Sequence, residues 1–367
     1  MRYFIAFSLP VIGVCIAFFE GKTHDYVLLD IILLLLAEYV LYLLYERLKN
    51  NAIEYISGYA LRVEHYFPWV ERVEKKEHKR DSNGHWDTVK VVKYVNHPDE
   101  YVEVFNIDYS RNISAKDFRW FCRRWGTGLY SFQTYHKNCV EGGGGEACDW
   151  DEDENSTETI TTTHRYHNPL RSSNSLFRSR VIEEERAAEL GLCPYPEIED
   201  DQEQSVIMVK DGVDIPEDLD EAAVALQRLN AFCGETSEIH VFILLFPASD
   251  GIGITAYQKD YWDGLNKNEL LICLGMHGQK VQWCEAMSWM DDKTLELKIR
   301  SYFIHHPKLK LTKFVSWLRA NLSFWNRKEF KDFDYLKKGV PRNDYWLFLF
   351  VSFLVSALLG YVCFRMG

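Results

Sequence analysis

The chain contains the 20-residue apolar stretch YVLLDIILLLLAEYVLYLLY at residues 26 to 45. About 20 apolar residues in a helix are needed to cross the hydrocarbon core of a bilayer. Two further apolar stretches occupy residues 3 to 19 and residues 345 to 364. The pattern predicts an α+β membrane protein with a transmembrane helical hairpin at residues 1–50 and a transmembrane helix at residues 344–367.

The orientation of the predicted spans follows from the charges beside them. Arg47 and Lys49 follow the second stretch, and Lys337, Lys338 and Arg342 precede the third. Basic residues are enriched on the cytosolic side of spans, so we expect an integral, multi-pass protein whose large soluble region faces the cytosol. Two alternatives remain: an inverted chain, and a cleaved signal peptide at residues 1–19.

Polar residues within the predicted spans suggest helix contacts. Glu38 is the thirteenth residue of the second stretch, where a carboxylate costs about 2.5 to 3.5 kcal/mol, while Asp30 lies nearer the interface. The third stretch carries Ser352, Ser356 and Gly360 at four-residue intervals, a small-residue groove typical of close helix packing. These residues predict association of the spans, and Glu38 leaves a small oligomeric pore as one alternative.

Residues 51–204 read as a β-rich segment. Strand-like runs at residues 69–73 and 88–95 flank the turn sequence Asp81-Ser82-Asn83-Gly84, a strong hairpin signal. Residues 140–156 form an acidic, glycine-rich loop that lacks the alternating oxygen ligands of a calcium site. We therefore predict no metal and no cofactor.

Residues 205–305 change in character and predict a small α/β domain with a mixed sheet. Helical patterns cover residues 218–233, 254–262 and 292–303, and strand patterns cover residues 239–246, 270–274 and 280–285. The alternation of these elements indicates one layer of strands packed against helices.

Part of this domain resembles the TPM-phosphatase type of domain over about residues 218–303. The likeness lies in LQRL at residues 226–229, HVFILL at residues 240–245 and YWDGLNKNELLI at residues 261–272. Residues 284–289, CEAMSW, replace the glycine-rich segment of that family, and no residue matches its acidic metal or catalytic positions. The resemblance implies a membrane-tethered, phosphatase-like hydrolase.

A loop after the predicted strand at residues 239–246 is one possible ligand site. Ser249, Asp250, Gly251 and Gly253 lie between this strand and a helix, where α/β folds often bind ligands. The loop lacks the lysine of a phosphate-binding loop and the third glycine of a dinucleotide-binding loop. A plain turn from strand to helix is the alternative.

Residues 306–343 are basic, although the whole chain has a formal net charge of −12. Trp317 and Trp325 lie on an apolar stripe, and Lys313, Arg319 and Arg327 lie between its members. This pattern predicts an amphipathic helix on the bilayer surface; the alternative is a helix packed on the soluble domain. The acidity of the remaining chain argues against nucleic acid as a partner.

These observations favour a membrane-anchored sensor or an assembly protein, with the lipid bilayer and a protein partner or a second copy of the chain as partners. The alternatives are the hydrolase implied by the resemblance and the oligomeric pore. The motifs of phosphate-binding loops, nucleophile elbows and HExxH metal sites do not occur in the sequence, so catalysis is not expected.

Overall fold

The computed structural model describes residues 27–80, 86–150, 158–171, 180–196, 206–328 and 330–336, together with residues 346, 350, 351 and 354. Helix α1, Val27–Lys49, leads directly into strand β1, Asn51–Tyr66. Asn50 joins them, since its N–H donates to the carbonyl of Glu46 in the last turn of α1.

Within this part of the chain, no helix is both long enough and apolar enough to span a bilayer. This finding contradicts the predicted membrane class, the multi-pass localisation and the cytosolic orientation drawn from it. A helix that crosses a bilayer needs about 20 consecutive, predominantly apolar residues. Residues 3 to 19 lie outside the described residues, and only four positions of residues 345 to 364 are described.

The roles predicted for polar and small residues inside the membrane depended on the predicted spans. Asp30 and Glu38 belong to α1, which is not a candidate span among the described helices. Ser352, Ser356 and Gly360 lie outside the described residues.

β1 is the central strand of the β-rich half and takes part in pairing along its whole length. Its first part, Asn51 to Tyr59, pairs with β9, Thr159–His167. Its second part lies between β4, Glu100–Phe105, and β8, Gly145–Trp150. The sheet continues to β5, Ser110–Asn112, and to β6, Gly126–Phe132.

Helix α2, Ala115–Trp125, covers one face of this sheet. Ser114 and Asp117 form a capping box at its N-terminus, which satisfies backbone N–H groups that the first turn leaves open. Phe118 and Phe121 pack against the buried Phe105 and Trp150 of the sheet. Capping and burial therefore place α2 on the sheet.

The predicted hairpin is confirmed. β2, Trp69–Arg80, pairs antiparallel with β3, Trp86–His97, from Trp69 opposite His97 to Arg80 opposite Trp86. β7, Cys139–Gly142, adds a third strand beside β2.

The α/β half contains a four-stranded sheet in the order β10-β11-β12-β13. Its strands are Ile207–Val209, His240–Pro247, Glu269–His277 and Lys280–Met287, of which the first three are parallel and the last is antiparallel. Helix α3, Glu184–Leu190, precedes β10; α4, Leu219–Ser237, links β10 to β11; α5, Ile254–Tyr261, links β11 to β12; and α6, Thr294–His305, follows β13. The predicted helices and strands of this half are all present.

Residues 241–246 of β11 are all apolar because both faces of the strand are covered. Val241, Ile243 and Leu245 face the cluster that includes α4 and α6. Phe242, Leu244 and Phe246 face the opposite cluster, to which α3, α5 and Tyr55 of β1 contribute. The β-rich half thus supplies part of the α/β core.

Asn230 of α4 completes the edge of β11 beyond the short strand β10. β10 covers Ile243 to Leu245 of β11. Ahead of that stretch, the Val241 N–H donates to Asn230 Oδ1 at 2.8 Å, and Asn230 Nδ2 donates to the Val241 carbonyl at 3.1 Å. The buried side-chain amide replaces the peptide unit that a longer strand would supply.

The basic helix α7, Leu311–Ala320, packs on the α/β core. Phe314 and Leu318 are fully buried, and the Trp325 indole N–H donates to the Ser237 carbonyl at the end of α4. The apolar stripe therefore contacts protein, as the alternative interpretation expected, and does not form a free bilayer surface. Lys313 and Arg319 lie on the exposed face, and Trp317 packs beside Tyr302 of α6.

Candidate functional site

A cavity of about 240 Å³ lies where β1 meets the amino ends of β11 and β12. Its walls come from β1, the turn after β4, the end of α4, the entries of β11 and β12, and the segment after α7. The lining residues are Glu54, Ile56, Asn106, Ile107, Asp108, Gly234, Glu238, Ile239, Asn268 and Arg327. Both halves of the chain therefore build the cavity.

Close packing of β1 against the α/β half positions the walls. Gly234 lets α4 approach β1, because a Cβ at this position would lie 2.2 Å from the Ser57 carbonyl oxygen. Asn268 Nδ2 donates to the Tyr55 carbonyl at 2.6 Å. These two contacts fix Glu54 and Ile56 of β1 opposite Asn268.

Glu54 is the central charged group of the cavity and is completely buried. Its Oε1 lies 2.9 Å from Nδ1 of His164, its neighbour across the β1–β9 pair, 3.3 Å from a guanidinium nitrogen of Arg327 and 3.6 Å from Nζ of Lys267. Arg327 also pairs with Glu238 at the start of β11. A buried carboxylate requires such partners, because desolvation of an isolated charge is very costly.

Two buried oxygen atoms of the cavity lining have no hydrogen-bond partner in the described part of the chain. They are Oε2 of Glu54 and Oδ1 of Asn268. Both residues are almost fully buried, at 0% and 2% exposure. Buried polar atoms are normally paired with protein groups or ordered water, so these two acceptors mark a place in the cavity where a hydrogen-bond donor would be stabilised.

A second buried network lies next to Asn268 of the cavity lining, at the start of β12. Glu269 accepts from the Asn266 N–H at 2.8 Å, from Asn266 Nδ2 at 2.6 Å and from the Tyr195 hydroxyl. Burial raises the pKa of Glu269, and burial also raises the pKa of Tyr195. Tyr195 stacks on Tyr55 with ring centroids 5.4 Å apart, so this network joins the start of β12 to β1.

Ser57 and His240 form a buried hydroxyl–imidazole pair that is unsuited to nucleophilic catalysis. Ser57 Oγ lies 3.2 Å from His240 Nδ1 and 2.8 Å from the Thr161 hydroxyl. Burial lowers the pKa of His240 to about 3, so the imidazole is a weak base at neutral pH. Its Nε2 has no hydrogen-bond partner among the residues described, so no described carboxylate orients the ring.

We expect His240 to make the protein less stable as the pH falls from 7 to 5. The unfolded imidazole takes up a proton below about pH 6.5, whereas the folded one stays neutral down to about pH 3. The stability is thus present above pH 6.5 and is lost below it, by about 2 kcal/mol at pH 5. Urea unfolding at both pH values measures the loss of unfolding free energy between pH 7 and pH 5. This loss should be smaller in His240→Gln than in the exposed control His305→Gln. Equal losses in the two variants would show that His240 does not cause the pH dependence.

The loop predicted as a ligand site lies at the other end of β11. Residues Ala248–Asp250 form a single 3₁₀ turn after the strand, and Gly251 adopts a φ of 69°. Asp250 accepts from Lys210 Nζ at 2.7 Å, and Lys210 also donates to the Leu190 carbonyl. Ser249, Asp250, Gly251 and Gly253 do not line the cavity, and the ion pair gives Asp250 a structural role.

The site was largely missed by sequence reasoning. Of the predicted site residues that the structure describes, Arg327 is the one that lines the cavity, although it was predicted at a membrane surface. The run Asn266-Lys267-Asn268-Glu269 was available as a signal, because these four polar residues directly precede the apolar residues 270–274. No group of three metal-ligating side chains occurs in the described ranges.

Comparisons with known proteins found no protein family, no curated protein and no solved structure that matches the chain.

Proposed function

We propose that the protein is a non-catalytic ligand sensor that binds a small polar molecule in the cavity between its two halves. The observation that carries the proposal is the pair of unpartnered acceptors, Glu54 Oε2 and Asn268 Oδ1, in the wall of one cavity. Their desolvation is unfavourable while they remain unpaired, and a bound donor would offset it.

The way the cavity is built supports a sensing role. Its residues come from segments of both halves, so a ligand that bridges them would bind the assembled arrangement more tightly than a separated one. A molecule with such differential affinity shifts the equilibrium between arrangements. The predicted hydrolase receives no comparable support, because the one buried hydroxyl–imidazole pair described above has a poor base.

The proposal is tested by filling the cavity. Ile56→Phe places a larger side chain in the cavity wall, whereas Ile53→Phe enlarges an exposed residue of the same strand. We expect at least one of propylammonium, propionate, glycine and propionamide to raise the Tm of the wild-type chain and of Ile53→Phe by several degrees, but not that of Ile56→Phe.

The four probes cover a cation, an anion, a zwitterion and a neutral amide of similar size. Thermal unfolding of the full chain at rising probe concentration is the measurement, and a shift that saturates indicates a site. If none of the four raises the Tm, or if every shift persists in Ile56→Phe, the cavity is not the ligand site.

A further inference from the structure

We propose that the cavity recognises a primary ammonium group on a short alkyl chain. The inference rests on the proposed function and specifies the ligand class for the same site. Glu54 Oε2 and Asn268 Oδ1 would accept two of the N–H bonds of the ammonium group.

The free hydrogen-bonding capacity of the two buried residues selects a donor. The amide nitrogen of Asn268 already donates to the Tyr55 carbonyl, which leaves its oxygen as the available atom. A deprotonated carboxylate only accepts, so Glu54 Oε2 is also an acceptor. An anionic ligand would place oxygen against both atoms, whereas an ammonium group carries three donors directed to different acceptors.

The charges of the lining favour a cation. Three carboxylates line the cavity, those of Glu54, Asp108 and Glu238, against the single guanidinium of Arg327. Arg327 is engaged by Glu54 and Glu238. Lys267 and His164 also contact Glu54, on Oε1, the oxygen that Arg327 uses. When Lys267 is counted as well, the three carboxylates outnumber the lysine and arginine side chains of the cluster by one, an excess that a monovalent cation would balance.

The depth and size of the cavity limit the ligand. Asp108 is exposed and Glu238 is 56% exposed at the side chain, so these carboxylates lie at the rim, while Glu54 and Asn268 form the buried floor. Ile56, Ile107 and Ile239 supply apolar wall between rim and floor. A volume of about 240 Å³ is small for a ligand site, which fits a short aliphatic amine better than an aromatic or nucleotide ligand.

Water is the competing occupant, because it can also donate two hydrogen bonds and buried water commonly pairs such atoms. An ammonium group differs from water in its charge and from a quaternary ammonium in its N–H bonds. The test therefore compares propylammonium with tetramethylammonium, which has the same charge and no N–H, and with the neutral propionamide.

Isothermal titration of the full chain should give saturable binding of propylammonium, at least tenfold weaker binding of tetramethylammonium, and no binding of propionamide. Asp108→Asn removes one exposed carboxylate of the rim and should weaken propylammonium binding several-fold, with no such effect from the exposed control Asp214→Asn. Glu54→Gln should abolish binding, and urea unfolding of this variant shows whether it remains folded. If Glu54→Gln does not fold, the Asp108→Asn result and the comparison with tetramethylammonium test whether the cavity recognises a primary ammonium group.

Each other outcome has a distinct meaning. Equal binding of the two cations would overturn N–H recognition. Binding of propionate or propionamide that Ile56→Phe abolishes, without binding of propylammonium, would overturn the ligand class and leave the sensor proposal standing. Failure of every probe would mean that water pairs the two acceptors, and both proposals would fall together.

Discussion

Glu54→Leu is expected to destabilise the protein by about 3 to 5 kcal/mol, because it removes one partner of a buried ion cluster. Glu54 is fully buried, and Lys267 and Arg327 are 5% and 9% exposed at their side chains. Without the carboxylate, the Lys267 side chain would lose this ion pair in the interior and would lie beside the apolar leucine. Urea unfolding of wild type and variant at pH 7 measures the difference.

Two controls separate this effect from ordinary surface charge loss. Glu74→Leu removes a carboxylate whose ion pair with Arg72 is half exposed at both side chains, and it should cost less than about 1 kcal/mol. Adding Lys267→Met to Glu54→Leu should recover part of the lost stability, since the buried charge is then removed as well. The ion-cluster explanation fails if Glu54→Leu costs no more than Glu74→Leu, or if the second substitution destabilises further.

Asn230→Leu is expected to cost about 2 to 4 kcal/mol. The side-chain amide of Asn230 pairs both the N–H and the carbonyl of Val241, and residues 230 and 241 are at most 1% exposed. Leucine fills a similar volume but pairs neither group, so two buried backbone groups are left unsatisfied, at about 1 to 3 kcal/mol each before relaxation.

Asn321→Leu provides the matched comparison. Asn321 lies at the end of α7, where its side-chain amide donates a single hydrogen bond to the Trp317 carbonyl from a partly exposed position. Its loss should cost about 1 kcal/mol or less because water can replace the donor. Thermal and urea unfolding of both variants measures the stability that each substitution removes. Equal losses in Asn230→Leu and Asn321→Leu would contradict the role of Asn230 in pairing the edge of β11.

The elements of the α/β half were predictable because local patterns determine them. β11 carries an unbroken apolar run at residues 241–246, and α4 shows a helical pattern with acidic residues in its first turn. The hairpin of β2 and β3 was predictable from its turn sequence and its alternating strands. In each case, the residues that carry the signal are neighbours in the sequence.

Apolarity alone misled the interpretation of α1 and α7. The apolar face of an amphipathic helix can be buried either in a bilayer or against a protein core. The sequence of α7 therefore does not determine which of the two covers Phe314 and Leu318. In the structure, α4 and α6 pack in the same core cluster as Phe314 and Leu318.

The cavity could not be predicted for a different reason. His164 and Arg327 lie 110 and 273 residues from Glu54 along the chain. Helix and strand patterns relate residues that are only a few positions apart, so they cannot reveal such distant contacts. In the sequence, Glu54 is an ordinary polar residue of a strand. Only the fold brings these residues together.

This separation along the chain has a consequence for biosynthesis. A ribosome adds roughly 5 to 20 residues per second, so Arg327 emerges about 15 to 55 seconds after Glu54. During that interval β1 can pair with β9 and bring His164 beside Glu54, but the guanidinium is not yet available. The nascent chain therefore passes through a period in which β1 carries an incompletely neutralised carboxylate, and the full ion cluster at the junction between the two halves can form only after Arg327 has been synthesised.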